Sequence, residues 1–445
     1  MNVQSRICKD GFKIRMSKDY SIRYPSEHMW SALNENTRLS LMDNITYVKM
    51  APYAALMKEQ FTLNTREPVL KEYVDKCIIK DLPRFAFEDN LTAAKLRANL
   101  KVAKINFEKG TPIVPSEKKK YRDGGILALS FGKESLLSYS VMKEMGVPTR
   151  PVFIEDTWDN ELFHKKALIA RFEKEFKEKV EILVDEFDNS CKDPLMRKIK
   201  SHGVYGCGAM NGYMLMLLPF VYHHKVNSIV FGNEQNFNNP FRDREGEMCY
   251  PSYGQSGEWM LYQSKMLSKM TGGKAKMISY VEPLYTLGEI KILLNRYPKV
   301  AKYLMSCAHE VREDSENKWC QRCSDCAKVF LYASAFGHRP KEIGFTVDHF
   351  KKEFKKEYKL FREKQESPYN NAPDLRDSQL LGFYLAYKNN SKGYLIDEFK
   401  KKFLKEAITR EDELMKKYLC VHKSVTIPRK YKSALLSIYR EELEK

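Results

Sequence analysis

Hydrophobic and polar positions along the chain alternate between short apolar runs and longer stretches of helical period, most clearly from Gly124 to about Phe345. The sharpest case is the stretch 124–146, GGILALSFGKESLLSYSVMKEMG. Residues 126–129 are an apolar run of strand length. Leu136, Leu137, Val141 and Met145 then recur at helical spacing until Gly146 and Pro148 end the helix. Downstream, the pattern predicts strands over 152–154, 180–184 and 228–231, with helices over 161–177 and 210–224 between them. Such alternation predicts an α/β fold with a parallel sheet and crossover helices. Before it, 11–23 alternates like a small hairpin and the rest of 1–120 is mixed and mostly helical. After about 345 the chain reads as helical and basic. Phe350, Phe354, Tyr358 and Phe361 form an apolar stripe there that predicts a packing face. Residues 367–377 are a turn-rich break, and helices resume over 380–387 and near the C-terminus. With the polar run EKKKYR at 117–122 read as a linker, the expected organisation has three parts. They are an N-terminal α+β domain at 1–120, an α/β domain at 121–345 and a basic helical region at 346–445.

Composition narrows the class. At 445 residues the chain is long enough for two or three domains, and with 43% hydrophobic and 12% aromatic residues it has the means to bury a large core. The opening MNVQSRICKD has no apolar signal-peptide core, and the longest apolar run, Tyr213 to Tyr222, is about half a membrane span. A soluble, cytoplasmic protein without a membrane partner is expected. Ten cysteines, four of them between Cys307 and Cys326, suit a reduced compartment with a metal site better than a disulfide framework. The net charge of +18 would attract anions, RNA among them, although solvated lysine faces explain much of it. An oligomer is compatible with this composition.

The turn Ser130-Phe131-Gly132-Lys133-Glu134-Ser135 joins the first strand to its helix. Backbone N–H groups at a helix start, with the hydroxyls of Ser130 and Ser135, can hold a phosphate; a plain capped helix would use the same residue types. Because Glu134 follows Lys133, the turn is not the GxxxxGK[ST] loop. The second motif is Cys307, twelve residues, then Cys320-x2-Cys323-x2-Cys326. Four thiolates can close a tetrahedral shell around zinc, and an all-sulfur shell leaves no place for water, so the role would be structural. An iron–sulfur cluster or metal-free cysteines are the other readings, and His309 could replace one ligand.

SFGKES resembles the SGGxDS pyrophosphate loop of the adenine nucleotide alpha hydrolase, or PP-loop, superfamily, with Phe131 where that family usually has Gly and Glu134 where it has Asp. The order of PLYTLGEI at 283–290, Ser306-Cys307 and CQRCSDC at 320–326 is similar to the tail of the 7-cyano-7-deazaguanine synthases. A second resemblance is to the ATP-dependent epimerases that act on the terminal glutamate of a UDP-muramoyl dipeptide. It is carried by Asn211-Gly212, Asn233-Glu234, QSGEW at 255–259 and WCQRCSDCAKVFL at 319–331. Both cover roughly 124–345. They imply a PP-loop nucleotide-binding core with a zinc knuckle held by Cys307, Cys320, Cys323 and Cys326, and an enzyme that activates a small-molecule carboxylate with ATP and Mg²⁺, releasing AMP and pyrophosphate.

In that picture Lys133 and the turn's amides would neutralise the pyrophosphate, and Glu134 and Glu234 would hold Mg²⁺ or substrate. Ser130, Phe131, Gly132, Ser135, Gly232 and Asn233 would line the nucleotide site, with Phe153 and Ile154 near the adenine. Asn211, Ser256 and Glu258 would face the substrate. Each has a plainer reading: a first-turn acid for Glu134, core packing for Phe153 and Ile154, helix capping for Asn211 and Ser256, and solvation for Glu258. Residues just past the strands, Glu155-Asp156-Thr157-Trp158 among them, are suspects because open parallel sheets bind ligands there. Cys207 reads as a loop thiol. A tRNA-modifying enzyme and a non-catalytic nucleotide sensor complete the alternatives.

Overall fold

A computed structural model describes residues 1–57, 60–88, 91–115, 117, 120–156, 162–194, 206–243, 245–307, 317–362 and 373–444. His309, Thr157, Trp158 and the first part of the 367–377 break lie outside the described residues.

The chain is α/β. Ten strands form one sheet in the order β12-β9-β6-β7-β8-β3-β2-β1-β4-β5. They are β1 (Asn2–Ile7), β2 (Gly11–Arg15), β3 (Asp19–Arg23), β4 (Phe61–Arg66), β5 (Ile105–Lys109), β6 (Arg122–Ala128), β7 (Thr149–Asp156), β8 (Glu181–Asp185), β9 (Val226–Val230) and β12 (Lys276–Ile278). β10 (Phe241–Arg242) and β11 (Met248–Cys249) make a separate ribbon. The strands β12, β9, β6, β7 and β8 run parallel. The expected hairpin is β2–β3, and its second strand pairs antiparallel with β8, so the sheet runs unbroken from residues before the 117–122 linker to residues after it.

Alternation along the central strands serves two cores, as a period of two requires. Ile126, Val152, Ile229 and Met277 face the core shared with the N-terminal residues. Leu127, Phe153, Val230 and Ile278 face the core shared with the C-terminal helices. Parallel strands covered on both faces are apolar at nearly every position, which is why these runs are continuous in the sequence.

Two expected elements differ. The helical pattern over 210–224 is broken into Ala209–Met216 and Leu218–His224, because Pro219 lacks an N–H and suits only the first turn of a new helix. The Phe350–Phe361 stripe is buried as a packing face, but on the short 3₁₀ turns Lys352–Glu357 and Lys359–Phe361 rather than one α-helix. There the Leu360 N–H donates to the Gln379 side chain at 3.0 Å, a tertiary bond that competes with the helical one. Beyond it the tail is helical, at Pro373–Lys388 and Arg429–Glu444 among others. Among the described residues no helix is long and apolar enough to cross a membrane.

A buried carboxylate just past β12 helps tie the tail to the sheet. Glu282 accepts from the backbone N–H groups of Val425 and Thr426, both at 2.9 Å, and from the Thr426 hydroxyl. Replacing it with Ala would orphan those donors. Glu282→Ala is therefore expected to cost about 2–4 kcal/mol in chemical denaturation and to open the tail to limited proteolysis.

Candidate active site

β6 is followed in sequence by β7 and β8 on one side of it, and the chain then crosses to β9 and β12 on the other. Neighbouring crossovers therefore leave in opposite directions at β6 and β9, which opens a crevice beyond their carboxyl ends. A cavity of about 420 Å³ lies there, lined by Ala128 to Ser130 after β6, Val152 to Ile154 and Asp156 on β7, and Phe231 to Asn233 after β9. Met305 to Cys307 and Asp325, Lys328 and Val329 form its far wall.

The turn is bent by Phe131, whose φ of 61° is left-handed, a conformation that glycine takes at no cost and phenylalanine does not. Its ring, fully buried, packs edge-on against Phe172 with centroids 5.6 Å apart and leaves the cavity open. Burial of the ring offsets the backbone strain. The Phe131 carbonyl accepts from the Met305 N–H at 2.9 Å, and the Lys133 N–H donates to the Ser306 hydroxyl at 3.4 Å. Beneath the turn, the buried Lys165 ammonium donates to the carbonyls of Ser130 and Met305. The helix Lys133–Glu144 starts at Gly132, which has no side chain to cap it, and its first turn lines the cavity through Lys133, Glu134 and Ser135. Gly232 permits this closeness, since a Cβ there would stand 2.4 Å from the Glu134 Cβ.

Three carboxylates gather beside the turn. One oxygen each from Glu134, Glu234 and Glu289 lie within 4.8 Å of one another. The Lys133 ammonium binds Glu134 directly and stands 3.9 Å from Glu234 and 4.0 Å from Glu289. Burial by itself would push the Lys133 pKa down, but Glu134, Glu234 and Glu289 together raise it above the ordinary lysine value. Burial first and then the Glu234 charge hold the Glu289 carboxyl well above the usual range, against the pull of Lys133. Glu234 is oriented by the Asn236 amide at 2.8 Å and the Thr286 hydroxyl at 2.7 Å.

Ser130, Gly132, Lys133, Glu134, Ser135, Phe153, Ile154, Gly232 and Asn233 all line the cavity, and Glu234 stands behind Lys133. The Asn233 amide is buried, lines the cavity and makes no hydrogen bond among the described residues. The Phe131 side chain points into the core. Asn211 is fully buried, accepting from the Trp259 indole at 2.9 Å and Gln263 at 3.2 Å. Ser256 caps the helix Gly257–Thr271, and Glu258 accepts from the Tyr253 hydroxyl at 3.0 Å. These three stand outside the cavity lining, while their neighbours Met210 and Gln255 belong to it. Glu289, Lys165 and Ser306 stand at this site although the sequence did not single them out. The only signal was the placement of Glu289 in PLYTLGEI and of Ser306 beside Cys307.

The four cysteines Cys307, Cys320, Cys323 and Cys326 bring their sulfurs within 4.8 Å of one another. Cys307 and Cys323 are 3.9 Å apart and Cys320 and Cys326 3.6 Å. Tetrahedral zinc with bonds of about 2.3 Å sets its sulfurs about 3.8 Å apart, so the group is of the right size to hold that ion. Cys323 also caps the helix Ser324–Ala335, its sulfur accepting from the Cys326 N–H. Cys207 is buried away from this group.

No protein-family model matches this chain, and no curated protein matches it.

Two outcomes are expected. Cys326→Ser should abolish retention of zinc, read by elemental analysis of the purified protein, and lower the melting temperature. Phe131→Gly should relieve about 1–2 kcal/mol of backbone strain but lose the larger contribution of a buried ring, for a net loss of about 2–3 kcal/mol in denaturant unfolding.

Proposed function

We propose that the protein is an ATP-dependent enzyme that activates a carboxylate as its adenylate. The observation that carries this reading is the helix start at Gly132, with the buried Lys133 in its first turn, lining the crevice where the crossovers change direction. A helix N-terminus favours an anion, and this crevice is where open parallel sheets bind nucleotides. The cavity volume of about 420 Å³ falls within the range of small-molecule sites. The resemblance of SFGKES to the pyrophosphate loop points the same way, with the left-handed Phe131 in a place where the superfamily uses Gly.

In the proposed reaction a carboxylate oxygen attacks the α-phosphorus, the bond to the β-phosphate oxygen breaks, and pyrophosphate leaves with the electron pair. A nucleophile then displaces AMP from the acyl adenylate. Lys133 and the amides of the turn meet the charge that develops on the leaving pyrophosphate. Ser130 and Ser135 orient the phosphates, and Phe153 and Ile154 at the end of β7 form the base-side wall. The Asn233 amide supplies a donor and an acceptor to a polar ligand. Mg²⁺, held by Glu134 and Glu234, would neutralise phosphate charge. Zinc at the four cysteines would fix the segment Met305–Cys307 that braces the turn. Among acceptors, a deazaguanine carboxylate comes first from the 7-cyano-7-deazaguanine synthase resemblance.

Purified protein, ATP and a panel containing a deazaguanine acid with ammonia, a UDP-muramoyl dipeptide and tRNA should yield AMP and pyrophosphate with one member. Release of ADP, or no turnover with nucleotide bound, would reject the reading, the latter in favour of a sensor. Lys133→Ala is expected to lower kcat about 10²–10³-fold with a smaller change in KM.

A further inference from the structure

The cage around Lys133 is short of positive charge. Three carboxyl groups face a single ammonium, so ionising all three, as a bound cation would, leaves two charges for that cation to cancel. One divalent cation would cancel both. A cluster of acids alone does not make a metal site, but Glu289 adds an independent observation. It is fully buried on the helix Thr286–Arg296, turned toward the cage, and neither of its oxygens accepts a hydrogen bond among the described residues. Ionised in this place, it would cost several kcal/mol unless something charged completed it. The nearest cation, Lys133, stays 4.0 Å away because it is drawn to Glu134. The span within 4.8 Å suits oxygen ligands around a hard cation, whose opposite ligands stand about 4.1–5.2 Å apart between Mg²⁺ and Ca²⁺ bond lengths.

We propose that Glu134, Glu234 and Glu289 form a divalent-cation site in which Lys133 is the resting counter-ion, released from Glu134 when the cation enters. The sequence pattern supplies only Glu134 and Glu234; Glu289 is the third ligand. Released, the ammonium can turn to the cavity that Lys133 already lines, where an anion can take it. Cation entry thus arms the lysine. This last step deepens the adenylating reading and rests on it, whereas the cation site itself does not.

The test uses the full chain without nucleotide and Mn²⁺ as the probe, with bound metal followed by electron paramagnetic resonance. One ion per chain is expected. Glu289→Gln, nearly isosteric, should weaken Mn²⁺ tenfold or more, and Lys133→Met, which removes the competing charge, should tighten it about tenfold. In the unmodified protein, acetylation of Lys133 by acetic anhydride, read by mass spectrometry, should rise as Mn²⁺ is added, and this arm does not depend on a variant folding. Unchanged Mn²⁺ affinity in Glu289→Gln, or Lys133 labelling that is flat or falls with Mn²⁺, would overturn the proposal. Mn²⁺ binding without AMP production leaves the cation site standing and removes the adenylating reading. AMP production by a protein that binds no Mn²⁺ in the absence of nucleotide does the reverse.

Discussion

The bend at Phe131 is the constraint on which the cavity depends. Without a left-handed residue there, the chain leaving β6 would not turn sharply enough to start a helix at Gly132 with its first turn facing the crevice. Glycine is the inexpensive solution. Here phenylalanine takes the conformation, and the strain is offset because the bend drives its ring against Phe172 in the core while its carbonyl meets the Met305 N–H. The same side chain thus buries itself and leaves the cavity open.

That bond links the turn to the cysteine group. Met305 and Ser306 brace the turn through backbone and hydroxyl contacts, and Cys307 is the next residue. A metal at the four sulfurs would immobilise the segment whose Ser306 hydroxyl bonds the Lys133 amide. Lys165 closes the arrangement from below by donating to the carbonyls of Ser130 and Met305. The cysteines then act on the site through position, consistent with a shell that has no vacant place for a reactant.

The N- and C-terminal parts serve the same centre indirectly. The β2–β3 hairpin extends the sheet through β8, and the core it shares with β6 and β9 stiffens the strands that end at the cavity. On the other face the tail helices complete the core beneath the helix Lys133–Glu144, and Glu282 fastens them. Removing either would expose apolar faces of strands whose ends form the site.

The sequence by itself determined the α/β alternation, the strands at β6 to β9, the loop helix and the cysteine group, because each is written in a local period or spacing that neighbours a few residues apart can enforce. It likewise placed Ser130, Lys133, Glu134 and Asn233 beside one another, since all follow directly on strand ends. Only the tertiary structure decided that Glu289 joins Glu134 and Glu234, that Ser306 and Lys165 hold the turn, and that Asn211 and Ser256 serve the packing of a helix. Those contacts join residues up to 173 positions apart, as between Lys133 and Ser306, and no local pattern encodes which distant side chain will arrive. The unbroken sheet from β3 to β8 belongs to the same class: strand pairing across 160 residues is settled by backbone hydrogen bonds and shared burial, to which a linker's composition is blind.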